Sequence, residues 1–478
     1  MRASPGCVAG PMLIWTPPLV ERALAPHDIV RAGLCIGCGA CAGAQGTMAW
    51  DGFGQIKPAG PWAKRRSAAF SRICPFSPAA RDEDAIAAER FPDAPAHDAR
   101  IGRHQRAFVG HVEEPGFRAE GSSGGMVTWV AAELLRRGLV DAVAHVATLS
   151  PERDGRFFGY RLSRTEAALR DGAKSRYYPV TLVEVLREIR AQPGRYAVIG
   201  VPCFMKAVHL LRAEEPLLRA RIAFTLGLFC GHMKSAHFLE SIAWQLGVPI
   251  RELASADYRR KDAARPANWY TAQLTLRDGS TRQQDWWHLA DGDWGAGFFQ
   301  NSACNFCDDV VAETADIAFG DAWVEPYSAD GRGTNVVIVR APALLAMIEE
   351  AIAQGRLRLE PVDAAFVART QAAGLRQRRD GLAYRLRVMP PALRPRKRVA
   401  PGGQHLPLRR KLLYRCRAAI SRWSHLVFAL ARRLRCPPLY LGWARLVATV
   451  YEGLAYRRGW TGRLVTLMDR HRQDDPGF

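Results

Sequence analysis

Three cysteines stand at intervals of three residues near the start of the chain. Cys35, Cys38 and Cys41 occupy the stretch GLCIGCGAC, in which every spacer contains glycine or alanine. Thiolates are soft ligands, and a run of three with this spacing is typical of bacterial ferredoxins. The small spacers allow backbone N–H groups to turn toward sulfur. Structural zinc also uses thiolates, but in paired C-x2-C knuckles that a single run does not make. The spacing therefore favours a 4Fe-4S cluster over zinc.

The fourth ligand of this site is less obvious. The ferredoxin pattern places a cysteine followed by proline shortly after the third one, yet position 45 is Gln45. The next cysteine is Cys74, which precedes Pro75. We expect a long loop to return Cys74 to the other three thiolates.

A second group of cysteines is dispersed along the chain. Cys203 and Cys230 each follow an apolar segment that is typical of a strand, and Cys304 and Cys307 form a C-x2-C loop. Ligands at strand ends and on one loop can converge above a sheet. Free cysteines are also often buried as small hydrophobic residues, so spacing alone leaves both interpretations open. The remaining cysteines have no such context and are interpreted as structural: Cys7, Cys416 and Cys436.

A turn rich in glycine and serine precedes a strongly helical pattern. Its residues are Ser122, Ser123, Gly124 and Gly125, after which apolar residues recur at helical spacing. Free N–H groups at the start of a helix, together with serine hydroxyls, can cradle a phosphate. An ordinary serine N-cap followed by a glycine turn accounts for the same residues. The turn does not match the G-x-G-x-x-G fingerprint of dinucleotide-binding folds.

The composition indicates a globular protein with more than one domain. The chain has 478 residues, of which 48% are hydrophobic, and its apolar runs are shorter than a membrane span. Prolines interrupt the first twenty residues, where a signal peptide needs an apolar core. We therefore expect a cytoplasmic protein. In that reducing compartment its eleven cysteines favour metal binding over disulfides.

The predicted fold is an α/β (α+β) core flanked by two smaller regions. Residues 1–95 are predicted to form a small iron-sulfur domain, and residues 96–388 a core in which strands alternate with helices. Residues 389–478 are predicted to form a helical, basic extension. The segment from Pro390 to Gln404, rich in proline and basic residues, is interpreted as a linker.

The positive charge is concentrated in that extension. Residues 391–478 contain 19 basic and four acidic residues, a net charge of +15, against +21 for the whole chain. Basic and apolar residues interleave at helical spacing, which suits an anionic membrane surface or an acidic protein partner. Nucleic-acid binding predicts fewer large apolar residues, so no specific nucleic acid is expected. A helical pair packed on the core, with arginines outside, is an equally good interpretation.

Taken in order, these motifs resemble those of the coenzyme F420 hydrogenase/dehydrogenase beta-subunit family, which includes ferredoxin-dependent chlorophyll-pathway reductases. The resemblance extends from about Gly33 to Arg340. Besides CIGCGAC and GSSGG, it is carried by Lys174-Ser-Arg-Tyr, Gly200-Val-Pro-Cys, Phe229-Cys-Gly-His, Cys304-Asn-Phe-Cys and Ala315-Asp-Ile-Ala-Phe-Gly-Asp-Ala-Trp. It implies an oxidoreductase with FAD and iron-sulfur clusters, in which Cys203, Cys230, Cys304 and Cys307 hold a second 4Fe-4S cluster.

The resemblance also implies which residues contact the flavin. These would be the turn from Ser122 to Gly125, Lys174 and Arg176 for charge, Tyr177 for a flat face, and Asp321 at a strand end. By residue type alone, the Lys174 region is a solvated basic loop with core tyrosines. His232, beside Cys230, is a candidate proton donor, with a hydrogen bond to the second cluster as the alternative.

The expected activity is electron transfer between a partner that exchanges two electrons at once and partners that exchange one at a time. FAD would exchange electrons with an organic substrate or coenzyme F420, and the two clusters would pass them to or from ferredoxin. No residue selects the substrate or the direction. The alternative from another class is a non-catalytic binding protein, held by zinc or iron-sulfur, associated with a membrane or with polysaccharide synthesis.

Overall fold

The structure is a computed structural model, and it describes residues 23–459 and 462–463. Cys7, which was interpreted as structural, lies outside these residues. The strands are β1 (Thr47–Trp50), β2 (Ile56–Ala59), β3 (Ala96–Asp98), β4 (Gly102–His104), β5 (Arg106–Val112), β6 (Ala142–Thr148), β7 (Phe158–Ser163), β8 (Tyr196–Gly200), β9 (Ile222–Leu228), β10 (Leu253–Arg260), β11 (Thr271–Leu276), β12 (Thr281–Asp285), β13 (Ile317–Asp321), β14 (Asn335–Val339) and β15 (Leu357–Val362).

The α-helices connect and cover these strands. They are α1 (Pro26–Arg31), α2 (Ala68–Ile73), α3 (Glu83–Arg90), α4 (Phe117–Glu120), α5 (Met126–Arg136), α6 (Pro151–Asp154), α7 (Glu166–Asp171), α8 (Val183–Ala191), α9 (Pro202–Glu214), α10 (Pro216–Arg221), α11 (His237–Gln245), α12 (Pro342–Ala353), α13 (Ala364–Thr370), α14 (Ala372–Arg378), α15 (Asp380–Val388), α16 (Leu408–Arg433) and α17 (Pro437–Tyr456).

A mixed eight-stranded sheet forms the centre of the fold, in the order β15-β5-β14-β13-β9-β8-β6-β7. Strands β6, β8, β9 and β13 are parallel, and the others pair antiparallel at the two sides. Every residue of β8 is buried, as expected for a strand with both faces covered. Because parallel strands end at the same edge, the residues that follow β8, β9 and β13 meet there. The mixed α/β fold expected from the sequence is confirmed.

Helices cover both faces of this sheet. Along β8, Ala197 and Ile199 pack into one apolar core with α5 and α12, whereas Tyr196 and Val198 pack into a second core with α8 and α9. This alternation follows from the two-residue period of a strand. The second core also includes Leu34 from the N-terminal segment and side chains of α16 and α17. The N-terminal and C-terminal segments are therefore built onto the same core as the sheet.

The segment interpreted as a linker is instead a strap that Lys397 and Arg398 anchor to the core, so that prediction is wrong. The Lys397 ammonium lies 2.9 Å from Asp308, and their side chains are 2% and 0% exposed. Arg398 donates to Glu313 at 2.7 Å. A local stretch of prolines and basic residues is typical of a linker. Here the basic residues pair with carboxylates that lie 85 to 89 residues earlier in the chain, which the local sequence does not reveal. The strap fastens residues 394–398 beside the loop that carries Cys307.

The basic C-terminal extension forms the expected helical pair, and that pair packs on the core. Phe428 of α16 is fully buried and stacks on Trp244 with a centroid distance of 4.3 Å. Ser424 Oγ accepts a hydrogen bond from the Phe299 N–H at 2.9 Å, and the Tyr440 hydroxyl donates to Asp291 at 2.9 Å. These contacts match the interpretation in which the helical pair packs on the core.

We predict that truncation of Phe428 destabilises the whole protein. Phe428→Ala should lower the free energy of unfolding by about 3 to 5 kcal/mol, because it leaves a cavity among Trp244, Phe299 and Tyr440. Leu430→Ala is the matched control on the same helix, since Leu430 is 50% exposed, and it should stay within about 0.5 kcal/mol of the native protein. Urea unfolding measures both variants. Equal stability of the two would contradict the packing described for α16.

Candidate functional site

The first four predicted ligands come together around one pocket. Cys35, Cys38 and Cys41 lie on the loop after α1, and Cys74 is the residue that ends α2. All four line a pocket with about 390 Å³ of empty space, including its open mouth. The sequence left Cys74 as the least certain of the four. The long loop through the β1–β2 hairpin brings it back to the other three.

Backbone N–H groups point at these sulfurs, as the small spacers predicted. The N–H groups of Gly37, Ala40 and Phe76 donate to Cys35, Cys38 and Cys74 respectively. Gly37 has a φ of 81°, and a Cβ there would lie 2.4 Å from the carbonyl oxygen of Ile56. Glycine is therefore required at this position, both for its conformation and for its lack of a side chain.

Burial makes this pocket unfavourable for free thiolates. Burial raises the pKa of the Cys38 thiol to about 12. It also raises the pKa values of Cys41 and Cys74, and the neighbouring sulfurs raise them further. Four thiolates in one buried pocket need a positively charged partner to neutralise them. An iron-sulfur cluster, which binds thiolates through iron, meets that requirement.

The second group of cysteines also converges. Cys203 lies in the first turn of α9, Cys230 lies two residues after β9, and Cys304 and Cys307 lie on a short 3-10 turn and directly after it. They line a second pocket with about 280 Å³ of empty space. The Met233 N–H donates to Cys304 Sγ at 3.3 Å. The ends of β8 and β9 thus deliver two sulfurs to the same edge of the sheet.

The two quartets are neighbours. Ile36 and Phe76 line both pockets, so a single layer of side chains separates them. Burial is the main cause of the raised pKa of Cys203, and the thiols of its own quartet come next. The Cys38 thiol of the other quartet raises this pKa further.

The donor set of each pocket suits iron-sulfur chemistry. Each pocket is lined by four cysteines, and thiolates are the ligands that bind iron in such clusters. Zinc also accepts four thiolates, so the ligand set by itself fits both metals. The described residues include no group of three or more histidine, cysteine or carboxylate side chains arranged to hold a single metal ion.

The glycine-serine turn meets the Lys174 loop, as the predicted flavin site requires. Ser122 Oγ accepts a hydrogen bond from the Ser175 N–H at 2.7 Å, whereas Ser123 Oγ donates to the carbonyl of Thr334 at 3.0 Å. The first N–H of α5, that of Met126, donates to Asn335 Oδ1 at 3.1 Å. Both hydroxyls and this N–H therefore have partners within the protein. A phosphate here would use the remaining N–H groups or the side chains nearby.

A Cβ at either of the next two positions would collide with the backbone. At Gly124 it would lie 2.8 Å from the carbonyl oxygen of Gly110, and at Gly125 it would lie 2.6 Å from that of Phe117. Gly125 also has a φ of 86°, which favours glycine. The two glycines thus allow the turn to lie flat against its neighbours.

Positive charge is crowded beside this turn. Lys261 donates to the carbonyl of Ser123 at 2.6 Å, Lys174 pairs with Asp257 at 3.2 Å, and Arg259 pairs with Asp321 at 3.1 Å. Burial, followed by repulsion from Lys174, Arg118 and Arg259, lowers the pKa of Lys261 to about 7. Lys174 and Arg259 are paired with carboxylates and Lys261 with carbonyls, so contact of this cluster with a diphosphate stays a prediction.

Sequence reasoning missed Lys261, Arg259 and Arg118. The run Arg259-Arg260-Lys261 at the end of β10 was an available signal, although basic residues at a strand end usually face solvent. Lys174 itself has a φ of 133°, which residues other than glycine rarely adopt. Such backbone strain is concentrated at functional sites.

The two remaining members of that loop point into aromatic surroundings. The Arg176 guanidinium lies 5.1 Å from the ring centroid of Phe158. Tyr177 packs at 4.8 Å from Trp294 and at 5.6 Å from Trp286. Tyr177 is thus part of an aromatic wall. Its contact with a flavin, like that of Arg176, stays a prediction.

His232 lies in a buried, apolar position. Its ring stacks on Trp294 with a centroid distance of 4.0 Å, and neither ring nitrogen has a hydrogen-bond partner among the described residues. Burial, followed by the positive charges of Lys234 and Arg417, lowers the pKa of His232 well below its ordinary value. The ring is therefore neutral at pH 7. Its role as a proton donor stays a prediction.

The site is that of an α/β protein in which two adjacent cysteine quartets and a cation-rich cleft share one region of the fold. Two family models of the coenzyme F420 hydrogenase/dehydrogenase beta subunit match the chain, the N-terminal one over residues 107–187 and the C-terminal one over residues 194–365. Together these cover more than half of the chain. The protein belongs to this family and is an oxidoreductase of the beta-subunit type. The first quartet precedes the matched residues.

One solved structure with a similar fold is a chain of the F420-reducing [NiFe] hydrogenase complex from Methanosarcina barkeri. It shares 16% sequence identity with this protein, and the similarity covers 63% of this chain and 99% of that chain with a TM-score of 0.48. A comparison with curated proteins gave no match. The family assignment therefore rests on the two family models.

We predict that the two quartets load iron independently. Cys38→Ala and Cys304→Ala should each lose about half of the iron and acid-labile sulfide, because each variant removes one ligand from one pocket. The double variant should lose nearly all of both. Cys416→Ala is the matched control, since Cys416 is half-buried on α16 and lies outside both quartets. Full iron content in either single variant would contradict the assignment, and so would a loss in the control.

Proposed function

We propose that the protein is an FAD-containing iron-sulfur oxidoreductase that passes electrons between a ferredoxin-type carrier and an organic substrate or coenzyme F420. The observation that carries this proposal is the adjacency of the quartets, which share Ile36 and Phe76 in their walls. Two clusters in contact serve electron transfer, whereas a structural metal site needs no neighbour. FAD would supply the exchange between two-electron and one-electron partners. We place the protein in the cytoplasm.

The chain's own residues suggest where each partner binds. Both quartets have three partly exposed cysteines, so exposure does not distinguish them. We place the protein electron carrier at the first quartet, because the second one lies nearer to the proposed flavin site. Lys261, Lys174 and Arg259 would hold the flavin diphosphate beside the glycine-serine turn. Trp294 contacts both Tyr177 of this region and His232, two residues after Cys230. The proposed path of the electrons runs from the flavin to the second quartet, then to the first quartet and the carrier, or in the reverse direction. The proposed domains are residues 1–95, 96–388 and 389–478.

Metal and flavin analysis of anaerobically purified protein tests this function. We predict about eight irons and about one flavin per chain, since each quartet holds a four-iron cluster. Reduced ferredoxin should then bleach the flavin absorbance, and coenzyme F420 should be tried as the organic partner. Stoichiometric zinc without acid-labile sulfide would refute the proposal and favour the zinc-stapled binding protein.

The solvent side of the C-terminal helices suggests a further partner. The described chain has sixteen large apolar side chains that are exposed, and eight of them lie between positions 408 and 450. These eight are 39% to 64% exposed. They form stripes at helical spacing, made up of Leu408, Leu412, Trp423, Leu430 and Leu434 on the α16 side and Leu439, Leu446 and Val450 on α17. No described helix is both long and apolar enough to cross a bilayer.

The charge beside these stripes has one sign. Residues 391–451 contain fourteen basic residues and no acidic one, and Arg415, Arg422 and Arg433 are exposed on α16. A surface of leucine, tryptophan and arginine matches the boundary between anionic headgroups and acyl chains. We therefore propose that this face of α16 and α17 rests on the inner surface of an anionic membrane. A purely acidic protein partner would account for the charge but not for the apolar stripes.

We predict that the apolar stripe is needed for vesicle binding. The full chain should float with vesicles that contain phosphatidylglycerol but not with pure phosphatidylcholine, and added salt should weaken the binding. Trp423→Ser with Leu430→Ser should reduce binding severalfold without changing the fold, because both side chains are exposed. The matched control is Leu217→Ser with Leu139→Ser, at exposed leucines elsewhere. Equal binding by both double variants would refute the membrane contact.

A further inference from the structure

One buried arginine reaches into the second cysteine quartet. Arg378, the last residue of α14, is 3% exposed and lines the pocket together with Cys203, Cys230, Cys304 and Cys307. Its Nη2 donates to the carbonyls of Cys230 at 3.0 Å and Gly231 at 2.5 Å. Its Nη1 is buried and has no hydrogen-bond partner among the described residues. The guanidinium is therefore anchored through one nitrogen while the other is left free.

The negative charge available to this arginine would come from the second quartet. No described carboxylate lies within ion-pair distance of Arg378. Burial lowers the pKa of Arg378, and the four sulfurs of the quartet, when they are thiolates, raise it by more. A buried charge without a partner is strongly unfavourable, so the fold keeps Arg378 for the sake of negative charge in this pocket. Arginine suits the task because its planar fork can hold a backbone carbonyl and still present a second donor.

The first quartet also has a cation beside it. Lys57 donates to the carbonyl of Cys35 at 2.5 Å. Lys206, which is buried near Cys74, is already paired with Glu83 at 3.2 Å. Arg378 differs from both in lining the second pocket with a buried donor that has no partner among the described residues.

We infer that Arg378 raises the reduction potential of the second centre. This inference rests on the proposed function, because it needs clusters in both pockets. Reduction adds one negative charge to a cluster, and a fixed cation with a free N–H donor stabilises that added charge. Arg378 contacts the second quartet and not the substrate, so it would act through the charge that it places beside the cluster. It follows residue 365, where the family-model match ends.

The consequence concerns an electron that passes between the proposed flavin site and the second centre. A raised potential at that centre makes its reduction by the flavin more favourable, and it makes the onward transfer of the electron less favourable.

A redox titration followed by electron paramagnetic resonance tests this inference on the full-length, anaerobically purified chain. Arg378→Gln should lower the midpoint potential of one centre by at least 59 mV, which is a tenfold change in the equilibrium constant of a one-electron couple, and leave the other unchanged. Arg378→Lys keeps the charge but loses the fork, so its potential should lie between those of the native protein and Arg378→Gln. Arg369→Gln, at an exposed position on the neighbouring helix, is the control.

Iron content separates the possible failures. Unchanged potentials in a fully loaded Arg378→Gln protein would overturn the inference. If Arg378→Gln loses half of its iron, Arg378→Lys decides, since a lowered potential supports the inference and an unchanged one overturns it. Iron loss in both variants, with Arg369→Gln intact, would overturn it as well, because Arg378 would then only hold the loop of Cys230 in place. Native protein without iron would refute the proposed function itself.

Discussion

The confinement of eight thiols to two adjoining buried pockets is the constraint on which the rest of the structure depends. Burial alone raises the pKa values of these thiols, so they become thiolates only when something positive neutralises the sulfurs. Backbone N–H groups at Gly37, Ala40 and Met233 contribute part of that compensation. The remainder would fall to the proposed clusters and, at the second pocket, to Arg378.

The parallel strands make this confinement possible. Strands β8 and β9 lie side by side, so Cys203 and Cys230 emerge at the same edge of the sheet. The loop of Cys304 and Cys307 closes over them, and it is held from outside by the contact of Lys397 with Asp308. A site of this kind is only as rigid as the segments around it. This explains why residues far along the chain, including the C-terminal helices, are packed into the same core.

The same C-terminal helices have two different faces. The inner face carries Phe428 and Tyr440 into the core, and the outer face leaves Trp423 and Leu430 exposed among arginines. Apolar residues on both sides of a helix are favourable when each side is covered by something. The inner side is covered by the body of the protein. The outer side is the surface for which an anionic membrane is proposed.

The sequence by itself determined the local elements and the run of three cysteines that predicts the first quartet, because both are encoded over short distances. The spacing of Cys35, Cys38 and Cys41, the helix after the glycine-serine turn and the strand before Cys203 could all be recognised within a few residues. What only the tertiary structure decided was which distant groups share one environment: Cys74 with the first quartet, Lys261 with the turn, Arg378 with the second quartet, and Lys397 with Asp308. Each of these pairings joins segments far apart in the chain. Charge and burial at such points depend on the folded neighbours, which local periodicity does not contain.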